Sequence, residues 1–172
     1  MAYRTKTYIA AEWEGDSNLV EALRTWSESG YWGLHFLDAH ELGESRDSSL
    51  NCTIKSSLGD RLAHSKTFVL IVGDNTLSAN AGSCVYCADY SGYSHSCRRG
   101  HKADFRSYIK CECEYAARNI DRIVVLYNNL SVDRSKCPEA LRYRGIHIPA
   151  ICKRSDGVLR WDYQKIKDAI EG

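Results

Sequence analysis

The run Thr67-Phe-Val-Leu-Ile-Val-Gly73 limits the fold more than any other stretch of the chain. Its interior is apolar at every position and rich in β-branched side chains, so it lacks the alternation of a strand with one wet face. A strand buried on both faces belongs in a parallel sheet covered by helices on either side. Arg122-Ile-Val-Val-Leu-Tyr127 repeats the same requirement.

Helical and β-prone segments alternate around these two runs. Residues 6–13 read as a first strand that breaks at Glu14-Gly15-Asp16-Ser17. Asn18 with Glu21 fits a capping box, and Leu19, Val20, Leu23 and Trp26 carry a helix that Gly30 stops. Residues 31–39, with Trp32, Leu34 and Phe36 on one face, read as a second strand, followed by a polar loop through Ser48. Ile54, Leu58 and Leu62 mark a helix before the central run. Phe105, Ile109, Cys113, Ala116 and Ile120 mark another before residues 122–127. Residues 146–151 read as a fifth strand, placed at a sheet edge because Pro149 has no donor for the ladder. Tyr163, Ile166 and Ile170 form a last helix capped near Asp162.

Five strands interleaved with helices require right-handed crossovers. The expected fold is therefore α/β and flavodoxin-like, a five-stranded parallel sheet in the order 2-1-3-4-5 with helices on both faces. The length of 172 residues suits a single domain over 1–172. The stretch 74–104 has neither period and is rich in Gly, Ser, Tyr and Cys, so it reads as a cysteine-rich insertion over one end of the sheet. Ligands of such sheets bind beyond the carboxyl ends of the strands.

Charge and motifs exclude several chemistries. Lys+Arg 23 against Asp+Glu 22 gives a net charge of +1, which argues against a nucleic-acid arm. No apolar stretch is long enough for a membrane span, and the first residues show no export signal, so the expectation is a cytoplasmic protein whose eight cysteines are thiols or metal ligands. There is no Gly-x-Gly-x-x-Gly, phosphate loop, Gly-x-Ser-x-Gly or His-Glu-x-x-His. Cys84, Cys87, Cys97 and His101 are spaced as a closed tetrahedral zinc site would need, with His95 or Cys111 as substitutes. Such a zinc would pin the insertion and perform no catalysis. The alternative is a set of reduced cysteines packed in a loop, with Cys84 and Cys87 as a redox pair.

Glu112 lies on the helix stripe of Tyr108 and Tyr115, at the border of the buried face, whereas Glu114 points to solvent. A carboxylate beside aromatics is costly unless it is hydrogen-bonded or used.

Lys6-Thr-Tyr-Ile-Ala-Ala, Leu37-Asp-Ala39, Ser65-Lys-Thr-Phe-Val-Leu-Ile-Val-Gly73 and Tyr108-Ile-Lys-Cys-Glu112 ahead of Arg122-Ile-Val-Val resemble, in order and spacing, the TIR-like proteins of bacterial antiphage defence. The likeness is to the TIR subunit of Thoeris systems and runs over about residues 5 to 152. It implies an NAD+-cleaving site in which Glu112 is the catalytic glutamate and Tyr108 takes the aromatic place of an aromatic-x-x-x-Glu motif. Two departures stand out: Ala10 occupies a place where many members have Ser, and the cysteine-rich insertion is not a general TIR feature.

Nicotinamide leaves NAD+ as a neutral group, so cleavage needs no general acid, only stabilisation of a developing oxocarbenium cation. A single fixed carboxylate suits that task. Glu12 and Trp13 after the first strand, with Asp38 and His40 after the second, are expected to line the same mouth as substrate contacts. The resemblance further implies a signal nucleotide derived from ADP-ribose, cyclic or conjugated, that activates an effector protein on phage infection. A phage-derived trigger and self-association would belong to the same scheme, with no membrane or nucleic-acid partner. The rival readings are a non-catalytic TIR-like adaptor and a receiver-type phosphoacceptor using Glu12, Glu14, Asp16, Asp74 and Lys153.

Overall fold

The computed structural model describes residues 6–30 and 50–172, without the side chain of Trp13. The chain runs β1 (Lys6–Ala10), α1 (Trp13–Glu28), α2 (Asn51–Ala63) and β2 (Ser65–Val72), then a short hairpin of β3 (Tyr90–Ser91) and β4 (Ser96–Cys97). α3 (Tyr108–Asn119), β5 (Arg122–Tyr127), β6 (Ile146–Pro149), β7 (Ile151–Lys153), β8 (Leu159–Trp161) and α4 (Tyr163–Glu171) follow.

The two apolar runs became β2 and β5, at the centre of a parallel sheet in the order β1-β2-β5-β6. This is the flavodoxin-like arrangement expected of the first, third, fourth and fifth strands; the expected second strand, 31–39, lies outside the described residues. The register pairs Tyr8 with Phe68 and Phe68 with Ile123, and one position on pairs Ile9 with Val69 and Val69 with Val124. Alternate rows therefore face opposite sides. Tyr8, Phe68 and Ile123 pack with Leu58 and Leu62 of α2 and with Ile109, Cys113 and Ala116 of α3. Ile9, Val69 and Val124 pack with Leu19 and Leu23 of α1 and with Ile166 and Ile170 of α4. Each fully buried side chain of this size contributes about 1.5–3 kcal/mol.

Three boundaries differ from the sequence reading. α1 starts at Trp13, not Asn18, because the Glu12 carboxylate accepts from the backbone N–H of Glu14 at 3.2 Å and of Gly15 at 2.8 Å and so caps the helix early. α3 starts at Tyr108, with Ser107 as its cap, so Phe105 precedes the helix and is 54% exposed instead of joining the buried stripe. The expected strand 146–151 divides at Ala150: β6 closes the edge of the sheet as Pro149 required, whereas Ile151 turns into an antiparallel pair with β8. The turn between β7 and β8 holds Gly157 at φ +84°, and its Asp156-Gly157 pair was a readable turn signal.

α1 is tied to the sheet by Asp16, which is 1% exposed and accepts from Asn128 Nδ2 at 2.8 Å. Its carboxyl lies so close to Gly73 that a Cβ there would sit 2.1 Å from Oδ1. Gly73→Ala is expected to cost about 2–3 kcal/mol in urea unfolding by forcing these groups apart. The loss should shrink in an Asp16→Ala background, and an equal loss in both backgrounds would refute the contact as its cause.

Candidate active site

The helix that closes one face of the sheet carries a carboxylate inward. Ser107 Oγ accepts from Lys110 N–H at 3.2 Å, and Tyr108 N–H donates to the Ala81 carbonyl at 2.8 Å, so both cap and preceding loop fix the start of α3. From that start the buried stripe is Ile109, Glu112, Cys113 and Ala116. Glu112 is 2% exposed, and its Oε1 accepts a hydrogen bond from the hydroxyl of Tyr8, itself wholly buried on β1. Glu112 also borders a cavity of about 260 Å³ between α2 and α3, with Leu58, Leu62 and Tyr115 among its walls. The sequence placed Glu112 at the border of the buried face; it lies inside it.

A charge network stands beside this cavity. Lys55 Nζ donates to the carbonyls of Asp104 at 3.1 Å and Arg106 at 2.7 Å, and lies 3.4 Å from Asp104 Oδ2. Arg106 grips both Asp104 oxygens, at 2.9 and 2.8 Å, and reaches Glu114 Oε2 at 2.5 Å. The forked guanidinium bond holds the Asp104 carboxyl well below its ordinary range, and Asp104 and Glu114 together raise Arg106. Glu114, expected to point to solvent, is instead a member of this network.

The other expected site residues scatter. Glu12 is spent as the cap of α1, and Trp13 opens that helix. The Trp13 side chain, with Asp38 and His40, lies outside the described residues. Tyr108 is half-buried next to Gly82 and donates to Asn51 Oδ1 at 3.1 Å; burial pushes its phenol up to about 12. It holds the start of α3 to α2 and does not reach into the cavity beside Glu112.

The expected zinc ligands do not converge: among the described residues, no three His, Cys, Asp or Glu side chains are grouped to hold a metal ion. Cys84 is buried in a 3-10 turn with its Sγ accepting from the Asp104 N–H at 3.2 Å, Cys97 is fixed in the hairpin opposite Tyr90, and His101 is exposed. All the cysteines described are free thiols, and burial raises those of Cys111 and Cys113. The phosphoacceptor set fails likewise, since Asp16 is buried against Asn128 while Asp74 is 86% exposed and pairs with Lys136 at 2.5 Å.

Tyr8, Lys55, Asp104 and Arg106 were not singled out from the sequence as site residues. Tyr8 carried one signal, a phenol hydroxyl on a strand that the fold buries, which requires a buried partner.

Residues 8–81 match the family model of the TIR-like domain of the Thoeris protein ThsB. Over these residues the chain is similar to the TIR-like domain of the Thoeris protein ThsB. The match spans less than half of the chain; it includes Tyr8 and ends before α3, so Glu112 lies beyond the matched residues. No curated protein matches the sequence. Among the described residues no helix is long and apolar enough to cross a membrane.

The network around Asp104 has a pH-dependent consequence for stability. Asp104 has its folded value depressed below the ordinary 3.8, so its stabilisation is full above that value and is lost as pH falls through the folded one. Asp104→Ala is expected to cost about 1 kcal/mol at pH 7, since the carboxylate is partly exposed and screened. The gap between the urea curves of the two proteins should start to narrow only below about pH 4 and keep narrowing as pH falls further. A gap that stays constant from about pH 5 down to about pH 2 would mean the side chain acts by packing.

Proposed function

We propose that this TIR-like domain cleaves the nicotinamide–ribosyl bond of NAD+, with Glu112 as the catalytic residue, in antiphage defence. The observation that carries the reading is the Glu112 carboxyl, removed from water, hydrogen-bonded by Tyr8 and bordering a cavity between α2 and α3. Burying a carboxyl group costs several kcal/mol unless the site compensates, and active sites are where such costs are borne.

The chemistry fits a single carboxylate. As the C1′–N bond breaks, its electron pair goes to the nicotinamide ring, which departs neutral without a proton. The ribosyl carbon becomes an oxocarbenium cation. Glu112, poorly screened in its dry surroundings, stabilises that charge, and the Tyr8 hydroxyl holds the carboxylate in one orientation. Water then yields ADP-ribose, a hydroxyl or the adenine of the same molecule yields a cyclic product, and a captured acceptor yields a conjugate. A product of this kind would reach an effector protein as a signal nucleotide.

Glu112→Gln keeps the shape and the bond from Tyr8 but removes the charge, and should lower nicotinamide release on the order of 10³-fold or more. Tyr8→Phe should lower it by about tenfold, the carboxylate remaining but less well held. Nicotinamide release from NAD+, followed by chromatography, reads both. Undiminished release by Glu112→Gln would remove this residue from its role, and absence of release by the wild-type protein, with NAD+ bound, would favour the adaptor reading.

A further inference from the structure

The insertion forms, with α2 and the start of α3, an open second and larger cavity of about 820 Å³ next to the one beside Glu112. The two share Lys55, Asp104 and Arg106, so the charge network is the partition between them. Four cationic side chains line the larger cavity, Lys55, Lys102, Arg106 and Lys110, against one carboxylate, Asp104. That carboxylate is already engaged by Lys55 and Arg106. Lys102 and Lys110 form no ion pair among the described residues, so the positive charge facing the cavity is uncompensated. Phe105 adds an exposed ring, set edge-on to Tyr90 with centroids 5.8 Å apart.

We infer that this cavity is the pyrophosphate subsite of the substrate, with Lys102 and Lys110 as the phosphate contacts and Phe105 as the face for an aromatic base. The inference rests on the NAD+ reading above, which fixes the ribosyl end at Glu112. A dinucleotide laid across the partition meets a carboxylate at one end, where positive charge develops. Toward the other it meets ammonium groups, where two negative phosphates lie. Concave surfaces lined by one sign of charge also raise the local concentration of the opposite sign. Lys110 is two residues from Glu112 on α3, so its side chain leaves the helix away from the carboxylate and faces the larger cavity, keeping the ammonium group apart from the glutamate. Lys102 comes from the insertion and Phe105 from the link to α3, so the insertion has a binding role in addition to covering the sheet.

ADP-ribose, which has the pyrophosphate and adenosine without the scissile bond, tests this apart from turnover. Calorimetry should show saturable binding to the wild-type protein and to Glu112→Gln alike. Lys102→Ala/Lys110→Ala, both at exposed positions, should bind about tenfold more weakly or worse, equal to about 1.4 kcal/mol. Lys102→Arg/Lys110→Arg should recover most of the affinity. Added salt should weaken wild-type binding more than that of the double alanine variant. Bound ADP-ribose should also protect Cys52, on the cavity wall, from alkylation read by peptide mass spectrometry. Equal affinity of the wild-type and double alanine proteins, or no saturable binding to either, would overturn the subsite. The glutamate assignment is judged separately: if Glu112→Gln still releases nicotinamide while the lysine variant loses ADP-ribose, that assignment falls and the subsite stands.

Discussion

Holding a carboxyl group inside an apolar layer is the constraint on which the rest of this structure turns. Glu112 shares its helix stripe with Ile109, Cys113 and Ala116, three residues that must be covered. Burying them buries the glutamate as well, and its cost is met by the Tyr8 hydroxyl, reached across the full separation between α3 and β1. That bond needs Tyr8 on the α3 side of β1. The register does this by pairing Tyr8 with Phe68, whereas a slip of one residue would turn Tyr8 to the opposite face. The apolar pattern of the strands and the polar pair beneath the helix therefore demand the same alignment.

The sheet was legible because its central strands are buried on both faces and need no partner to be recognised. The parallel order followed from handedness and the spacing of the helices. What the sequence hid was decided by side chains acting on backbone. Glu12 looked like a rim residue of the cleft, yet at the end of a strand its carboxylate is well placed to cap the next helix, and it started α1 earlier than the capping-box pattern at Asn18 suggested. Phe105 matched the helical period by coincidence, since Ser107 caps the helix two residues later. The cysteines suggested a metal by spacing alone, but spacing does not specify direction, and a 3-10 turn aims Cys84 at the Asp104 amide.

The candidate site was legible at its centre and obscure at its edges for a related reason. A buried glutamate on an amphipathic helix is visible as a break in an apolar stripe. Its partners come from separate parts of the chain: Tyr8 lies 104 residues away and Lys55 lies 49 residues from Asp104. Nothing local in the sequence announces such pairs. Asp104 and Arg106 read as ordinary polar loop residues until the fold places Lys55 against their carbonyls.

That placement also accounts for where the insertion sits. Cys84 N–H donates to the Asp104 carbonyl, and Asn51 Nδ2 donates to the Ser83 carbonyl, so the turn at Ser83-Cys84 and the end of the insertion at Asp104 are fastened to each other and to the start of α2. Gly82, at φ +95°, lets the Tyr108 ring pack where a Cβ would lie 2.5 Å from it, and so draws the start of α3 onto the same point. The beginnings of two helices, the Gly82–Cys84 turn and the end of the insertion at Asp104 are thus held at one locus, one helical turn ahead of Glu112. A substrate bound there would touch elements from both sides of the junction. Under the proposed function, the rigidity of the partition set by Lys55, Asp104 and Arg106 would govern how accurately a ribosyl carbon is held against a single glutamate.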